Sequence, residues 1–122
     1  MHTILLVDDD QSTLDTFART LRLDGYAVRT ASNPEAGLTE ATSSHPDAII
    51  VDLRMPMMSG LEFLRRLREA TGLSQTPVAI VTGDYFLPES IQHELKSLGA
   101  SIRFKPLWLE DLIALAKTLV AV

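Results

Sequence analysis

The chain has 122 residues, the size of a single domain, and its 46% hydrophobic and 22% charged residues are typical of globular proteins. The absence of cysteine excludes disulfides, cysteine-ligated zinc, iron–sulfur clusters and thiol catalysis. A net charge of −5 argues against direct binding to nucleic acid. No apolar run approaches the ~18 residues of a membrane-spanning helix. We therefore expect a soluble, cytoplasmic protein with no membrane partner.

Five short segments have the composition of β-strands. Three of them are continuous apolar runs, at residues 3–7, 48–51 and 78–81. Two weaker candidates, 27–30 and 101–104, each contain an arginine. Parallel strands that are covered on both faces are unbroken apolar runs, whereas edge strands tolerate charge. The pattern therefore predicts that the first, third and fourth strands are central, in the spatial order 2-1-3-4-5.

Segments with helical periodicity fill the gaps between these strands. The first helix is expected at about 12–24, and Asn33-Pro34 predicts the start of the second. Ser59 and Glu62 have the spacing of a capping box that begins the third. The last two helices are indicated by apolar residues at helical spacing: Ile91, Leu95 and Leu98, then Leu109, Leu112, Ile113, Ala116, Leu119 and Val120. The alternation predicts an α/β fold with a doubly wound, five-stranded parallel sheet.

Polar residues follow the predicted carboxyl ends of four strands. Asp8 and Asp9 follow the first strand, and Asp52 follows the third. Thr82 and Lys105 occupy the corresponding positions after the fourth and fifth strands. In an open α/β sheet, ligands bind at this edge, where the strand order reverses. We therefore expect these five side chains to converge on one site.

Three carboxylates at one edge repel one another unless a divalent cation such as Mg²⁺ relieves the repulsion. With the metal bound, one carboxylate can attack phosphorus, while Lys105 and the metal stabilise the phosphoryl oxygens and Thr82 donates a hydrogen bond. Each residue also has an ordinary structural interpretation: Asp10 or Ser12 is expected to cap a helix, a threonine forms turns, and a lysine is solvated. Their joint placement at four strand ends favours the functional interpretation.

Four segments carry a resemblance to a known family. LLVDDD (5–10), VDLRMPMMSG (51–60), VTG (81–83) and KP (105–106) resemble, in order and spacing, the receiver domain of bacterial two-component response regulators. The resemblance covers the whole chain. It implies a flavodoxin-like (CheY-like) three-layer sandwich and a single receiver domain over residues 1–122, with no output domain in this chain.

The resemblance also implies the roles of the site residues. Asp52 would accept a phosphoryl group from a phosphohistidine on a sensor histidine kinase or a histidine phosphotransfer protein, and Thr82 and Lys105 would contact the phosphoryl oxygens. The implied Mg²⁺ ligands are Asp8, Asp9, Asp52 and the backbone carbonyl of Arg54. The Lys105-Pro106 peptide is expected to be cis. We interpret the protein as a switch and not as an enzyme, with self-catalysed phosphorylation and dephosphorylation.

Signalling is expected through a protein–protein surface, the helix 4–strand 5–helix 5 face that receivers commonly use, toward an unidentified output protein. Three aromatic residues are candidates for anchoring a partner or a dimer there: Tyr85, Phe86 and Trp108. The alternative for Trp108 is that it closes the start of the last helix over the core. The segment VTGDYFLPES, with the later KPL, is similar to receivers attached to hybrid sensor kinases.

The sequence departs from the family pattern near the last strand. The family often has Tyr or Phe three residues before the lysine, but this chain has Ile102, so we do not expect that aromatic relay to operate. Phe104 is expected to pack in the core. We hypothesise that Arg54 and Asp84 pair across the mouth of the site and restrict the attacking water.

Three other classes of protein fit less well. A haloacid-dehalogenase-like phosphatase needs a second aspartate where this chain has Arg54, and usually a cap domain. A flavodoxin-like cofactor binder needs a Ser-, Thr- or Gly-rich phosphate loop, but here the loop is DDDQ, and neither GxxxxGK nor GxGxxG occurs. A pseudo-receiver would lack some of the five key residues, and all five are present.

Overall fold

The computed structural model describes residues 1–121 and consists of alternating strands and helices. The strands are β1 (Thr3–Val7), β2 (Ala27–Ala31), β3 (Ala48–Asp52), β4 (Val78–Thr82) and β5 (Ala100–Phe104). The helices are α1 (Gln11–Leu23), α2 (Pro34–Ser44), α3 (Gly60–Glu69), α4 (Glu89–Ser97) and α5 (Leu109–Val120). All strand pairs are parallel, and the order is β2-β1-β3-β4-β5. The predicted doubly wound sheet is confirmed.

Burial along the strands explains this order. Every residue of β3 and β4 is buried, and so is every residue of β1 after Thr3. The two arginine-containing strands lie at the edges, where Arg29 is exposed and Arg103 is half-buried. The two arginines therefore lie in strands that have one side open to solvent, and the one ionisable residue of the central strands is Asp52, at the carboxyl end of β3.

The core has two layers, one on each face of the sheet. Alternate residues of the strands, such as Leu5 and Ile49, pack against α2, α3 and α4 around Phe63. Their neighbours Ile4 and Ile50 pack against α1 and α5 on the other face. The result is a three-layer α/β/α sandwich in which only the ends of the strands remain available for a site.

Side-chain caps begin the first three helices. Asp10 accepts a hydrogen bond from the Ser12 N–H at the start of α1, and Asn33 caps α2 with Pro34 in its first position. Ser59 accepts from the Glu62 N–H at 3.2 Å. This hydrogen bond is one half of the predicted capping box. The other half, from the Ser59 N–H to the Glu62 carboxylate, is replaced by ion pairs of Glu62 with Arg65 and Arg66.

The predicted apolar stripes of α4 and α5 need correction at particular residues. On α4 only Leu95 is fully buried. On α5 Leu109 is exposed, whereas Leu115, which the predicted stripe omitted, is buried against the sheet. Residues 109–111, the first turn of α5, are exposed, so the buried stripe begins at Leu112. Within residues 1–121, no helix combines the length and apolarity that crossing a bilayer requires.

Candidate functional site

Three carboxylates meet at the carboxyl edge of the central strands. β1 and β3 are adjacent and in register at Val7 and Val51, so the residues that follow them come together. Asp8, Asp9 and Asp52 each offer one oxygen, and these oxygens lie within 4.8 Å of one another. The predicted convergence of these three acids is thus found in the structure.

The environments of Asp8 and Asp52 oppose the ionisation of these two acids. Asp52 is 7% exposed, Asp8 is half-buried and Asp9 is exposed. Burial raises the pKa of Asp8 to about 6, although the Asp10 N–H donates to its carboxylate at 3.0 Å, and repulsion from Asp52 adds to the rise. Burial also raises the pKa of Asp52, against the opposing effect of Lys105. The site therefore carries negative charge that is incompletely neutralised by the protein.

Lys105 supplies the cation that faces this cluster. Its Nζ lies 3.5 Å from Asp52 Oδ1, and 42% of its side chain is exposed. Its backbone N–H donates to the Thr82 carbonyl at 2.8 Å, which joins the ends of β4 and β5. The Lys105-Pro106 peptide is cis, as expected.

Thr82 is fully buried at the end of β4. Its Oγ1 accepts a hydrogen bond from the Asp84 N–H at 3.0 Å. A Cβ added to Gly83, the next residue, would contact only Lys105 Cδ, at 4.0 Å. The absence of a side chain at this position therefore leaves space beside Thr82.

Arg54 and Asp84 pair as hypothesised. The Arg54 guanidinium donates to Asp84 Oδ2 at 2.5 Å, and the Arg54 N–H lies 3.4 Å from Asp52 Oδ1. The pair therefore joins the loop after β3 to the loop after β4. The effect of the pair on attacking water, and the Arg54 carbonyl as a metal ligand, remain predictions.

Two features of the site were missed at the level of sequence. Gly60 packs so closely on the end of β3 that an added Cβ would lie 2.9 Å from the Asp52 carbonyl oxygen. An open cavity of about 720 Å³ also adjoins the acids, between α1 and the chain that follows β5. Asp8, Asp52 and Lys105 share its lining with apolar side chains that include Phe17 and Leu107. In the sequence, Gly60 between Ser59 and the apolar stripe of α3 could have indicated the close contact. No sequence pattern indicated the cavity.

Two predictions about aromatic residues are resolved by exposure. Phe104 does not pack in the core, so that prediction is wrong: it is 39% exposed and stacks on Tyr85 with 5.6 Å between ring centroids. It is the last residue of the edge strand β5, where fewer neighbouring elements cover a side chain than in the central strands. Trp108 is 64% exposed and Phe86 is 92% exposed, so neither is enclosed by the core.

The donor set suits a hard divalent cation. Three carboxylate oxygens from two adjacent strand ends provide the ligand chemistry of Mg²⁺ or Ca²⁺. Burial raises the pKa of Asp8 and of Asp52 even though Lys105 opposes the rise, so a further cation would stabilise the ionised carboxylates. Asp8, Asp9 and Asp52 could therefore hold such a metal.

Comparison with known proteins decides the family. Residues 4–117 match the model of the response regulator receiver domain. The chain belongs to this family. The receiver domain is 34% identical over 119 residues to response regulator MprA of Mycolicibacterium vanbaalenii, and 32% identical over 116 residues to transcriptional regulatory protein PrrA of Mycobacterium tuberculosis. Both alignments cover 95% of the chain but only 49% and 48% of the relatives, so the chain spans about half the length of the curated relatives it matches.

Solved structures show the same architecture. Chemotaxis protein CheY4 of Vibrio cholerae superposes with a TM-score of 0.89 at 32% identity, covering 98% of each chain. A CheY-like receiver domain protein of Methanospirillum hungatei gives a TM-score of 0.90 at 26% identity, covering 99% of this chain and 94% of the other. The CheY-like fold is thereby confirmed, whereas the similarity to hybrid-kinase receivers remains a prediction.

Proposed function

We propose that Asp52 is the phosphoacceptor of a two-component phosphorelay. The observation that carries this proposal is a nearly buried carboxylate that shares a site with two other acids and faces a lysine ammonium. An Asp52 oxygen would form a bond to phosphorus as the phosphorus–nitrogen bond of a phosphohistidine breaks. The donor imidazole would keep the electron pair of that bond and take up a proton.

Lys105 and Thr82 would bind the transferred group. The Lys105 ammonium, 3.5 Å from Asp52 Oδ1, would offset the charge on the phosphoryl oxygens. Thr82 Oγ1 already accepts the Asp84 N–H, so its own hydrogen is the one available for a phosphoryl oxygen. Thr82 ends β4 and Lys105 follows β5, so both residues lie at the same edge of the sheet as Asp52.

We assign the metal as Mg²⁺, which would be held by the Asp8, Asp9 and Asp52 carboxylates and the Arg54 carbonyl. When bound, it would supply positive charge to the oxygens of the phosphoryl group. Without it, Asp8 and Asp52 would oppose the approach of a phosphate, because their raised pKa values reflect an environment that already disfavours negative charge.

Phosphorylation and dephosphorylation are proposed to be self-catalysed, with no turnover of an external substrate. The ion pair of Arg54 and Asp84 spans the two loops beside Asp52, where it would limit the approach of water to an acyl phosphate. Arg54 also stands where haloacid-dehalogenase-like phosphatases need their second aspartate, which disfavours that alternative.

The partners we propose are a sensor histidine kinase or histidine phosphotransfer protein as donor, and an output protein that binds the α4–β5–α5 face. Four of the chain's seven aromatic residues are exposed around one end of this face: Tyr85, Phe86, Phe104 and Trp108. Acidic residues in the first turns of α4 and α5 adjoin them, namely Glu89, Glu110 and Asp111. This combination favours a partner that presents apolar side chains beside basic ones.

Incubation with acetyl phosphate and Mg²⁺, followed by intact-mass measurement, tests the phosphoacceptor. We expect one phosphoryl group on the wild-type protein and none on Asp52→Asn or in the presence of EDTA. Asp15→Asn, which alters an exposed acid on α1, is the matched control and should be phosphorylated normally. A phosphoryl group on Asp52→Asn, or none on the wild type, would contradict the proposal.

A further inference from the structure

An aromatic stack links the two strand ends that carry Thr82 and Lys105. Tyr85 follows Thr82 by three residues, and Phe104 directly precedes Lys105. The two rings lie 5.6 Å apart with an interplanar angle of 19°, which is a stacked arrangement. The stack is exposed on one side, so it contributes less to the hydrophobic core than a buried aromatic pair would.

Hydrogen bonds hold Tyr85 in a fixed relation to Thr82. The Asp84 N–H donates to Thr82 Oγ1 at 3.0 Å, and Asp84 Oδ1 accepts from the Phe86 N–H at 3.0 Å. Tyr85 lies between Asp84 and Phe86, the two residues that the second of these hydrogen bonds joins. A displacement of the Tyr85 ring would therefore be transmitted to the hydroxyl group of Thr82.

On the other side of the stack, Phe104 fixes the strand end that leads to Lys105. Phe104 is in register with Thr82, and the Lys105 N–H donates to the Thr82 carbonyl at 2.8 Å. The Lys105 side chain itself has little lateral support, since it is 42% exposed and Gly83 places no side chain against it. Its reach to Asp52 therefore depends on the position of its backbone.

We propose that Tyr85 and Phe104 are positioning residues, whose stack keeps Thr82 and Lys105 at the separation needed to bind one phosphoryl group. The inference rests on the proposed phosphoacceptor function. It assigns a role to an aromatic contact between the loop after β4 and the end of β5, in a chain where Ile102 is half-buried and cannot provide an aromatic ring. The groups proposed to bind the phosphoryl group are Thr82 and Lys105, and the two rings would act through these neighbours.

Phosphorylation rates at several acetyl phosphate concentrations test the proposal. We expect Tyr85→Leu and Phe104→Leu to lower the rate about threefold to tenfold, the range that one aromatic pair can account for. Because either change removes the whole stack, the double variant should be no slower than the slower single variant. Tyr85→Phe keeps the ring and should retain the wild-type rate.

Thermal unfolding of the same variants separates positioning from loss of structure. Leu23→Ala removes an exposed hydrophobic side chain at the far end of α1, roughly 18 Å along the helix from its start at the site, and is the control for both measurements. The inference would be overturned if Tyr85→Leu and Phe104→Leu were phosphorylated at the wild-type rate. It would also be overturned if the two losses of rate multiplied in the double variant, or if Tyr85→Phe showed the same loss. Failure of the proposed function is distinguishable, because the wild-type protein itself would then remain unphosphorylated.

Discussion

Replacing Asp8 with asparagine should stabilise the metal-free protein. The substitution removes one of three clustered negative charges and keeps an oxygen that can accept the Asp10 N–H, 3.0 Å away. Carboxylate oxygens up to 4.8 Å apart repel by about 1–3 kcal/mol per pair at effective dielectric constants of ~80 to ~20. Lys105 offsets part of this repulsion. We expect Asp8→Asn to raise the free energy of unfolding by about 1–3 kcal/mol at pH 8 in EDTA.

The pKa of Asp8 gives a consistent upper limit. A rise from 3.8 to about 6 corresponds to about 3 kcal/mol, and the partial exposure of this carboxylate reduces that figure. In a domain of this length the expected gain raises the unfolding midpoint by about 4–10 °C. Saturating Mg²⁺ should stabilise the wild-type protein and have a much smaller effect on Asp8→Asn, because only the wild type retains all three carboxylates.

Differential scanning calorimetry with and without Mg²⁺ measures both effects. Asp15→Asn makes the same change of charge on the exposed surface of α1 and should leave the Mg²⁺ effect intact. An Asp8→Asn protein that unfolds below the wild type in EDTA would show that repulsion among the acids does not destabilise the metal-free protein. Equal stabilisation of both proteins by Mg²⁺ would show that Asp8 is not a metal ligand.

Three further outcomes are expected. The pKa of Asp8 is raised on folding, so the stability that its protonated form contributes is fully present below about pH 4 and is lost as pH rises through about 6. In urea unfolding without metal, the free energy of unfolding of Asp8→Asn should therefore exceed that of the wild type by an amount that increases from pH 4 to pH 7. Gly60→Ala should lower the free energy of unfolding by about 1–3 kcal/mol and slow phosphorylation, since its Cβ would lie 2.9 Å from the Asp52 carbonyl oxygen; unchanged urea unfolding and phosphorylation would refute this. Arg54→Ala should speed dephosphorylation about twofold to fivefold, in the range of an exposed ion pair, and an unchanged rate measured by intact mass would refute the role of its pairing with Asp84.

The sequence predicted those features that depend on residue type at a strand position. Arg29 and Arg103 indicated edge strands because a long cationic side chain is disfavoured in a strand that is covered on both faces, and the strand order followed. The clustering of Asp8 and Asp52 followed from the geometry of parallel sheets, which brings all carboxyl ends to one edge.

Features that depend on where neighbouring elements stop were not predictable. Phe104 has the residue type of a core position, yet its exposure depends on how far α4 extends over β5. Arg68 similarly donates to the carbonyls of Leu73, Thr76 and Leu98, which belong to two separate turns of the chain. No local pattern marks such contacts, because their partners are fixed only when the helices have packed.

Calorimetric titration with Mg²⁺ tests most directly whether acids from two strand ends form one divalent site. We expect a single saturable site on the wild-type protein, with affinity lost or at least tenfold weaker in Asp9→Asn and Asp52→Asn. Asp9 decides the question, since it is exposed and its replacement leaves the core unchanged. Binding that survives in both variants, or no stoichiometric binding to the wild type, would contradict the account.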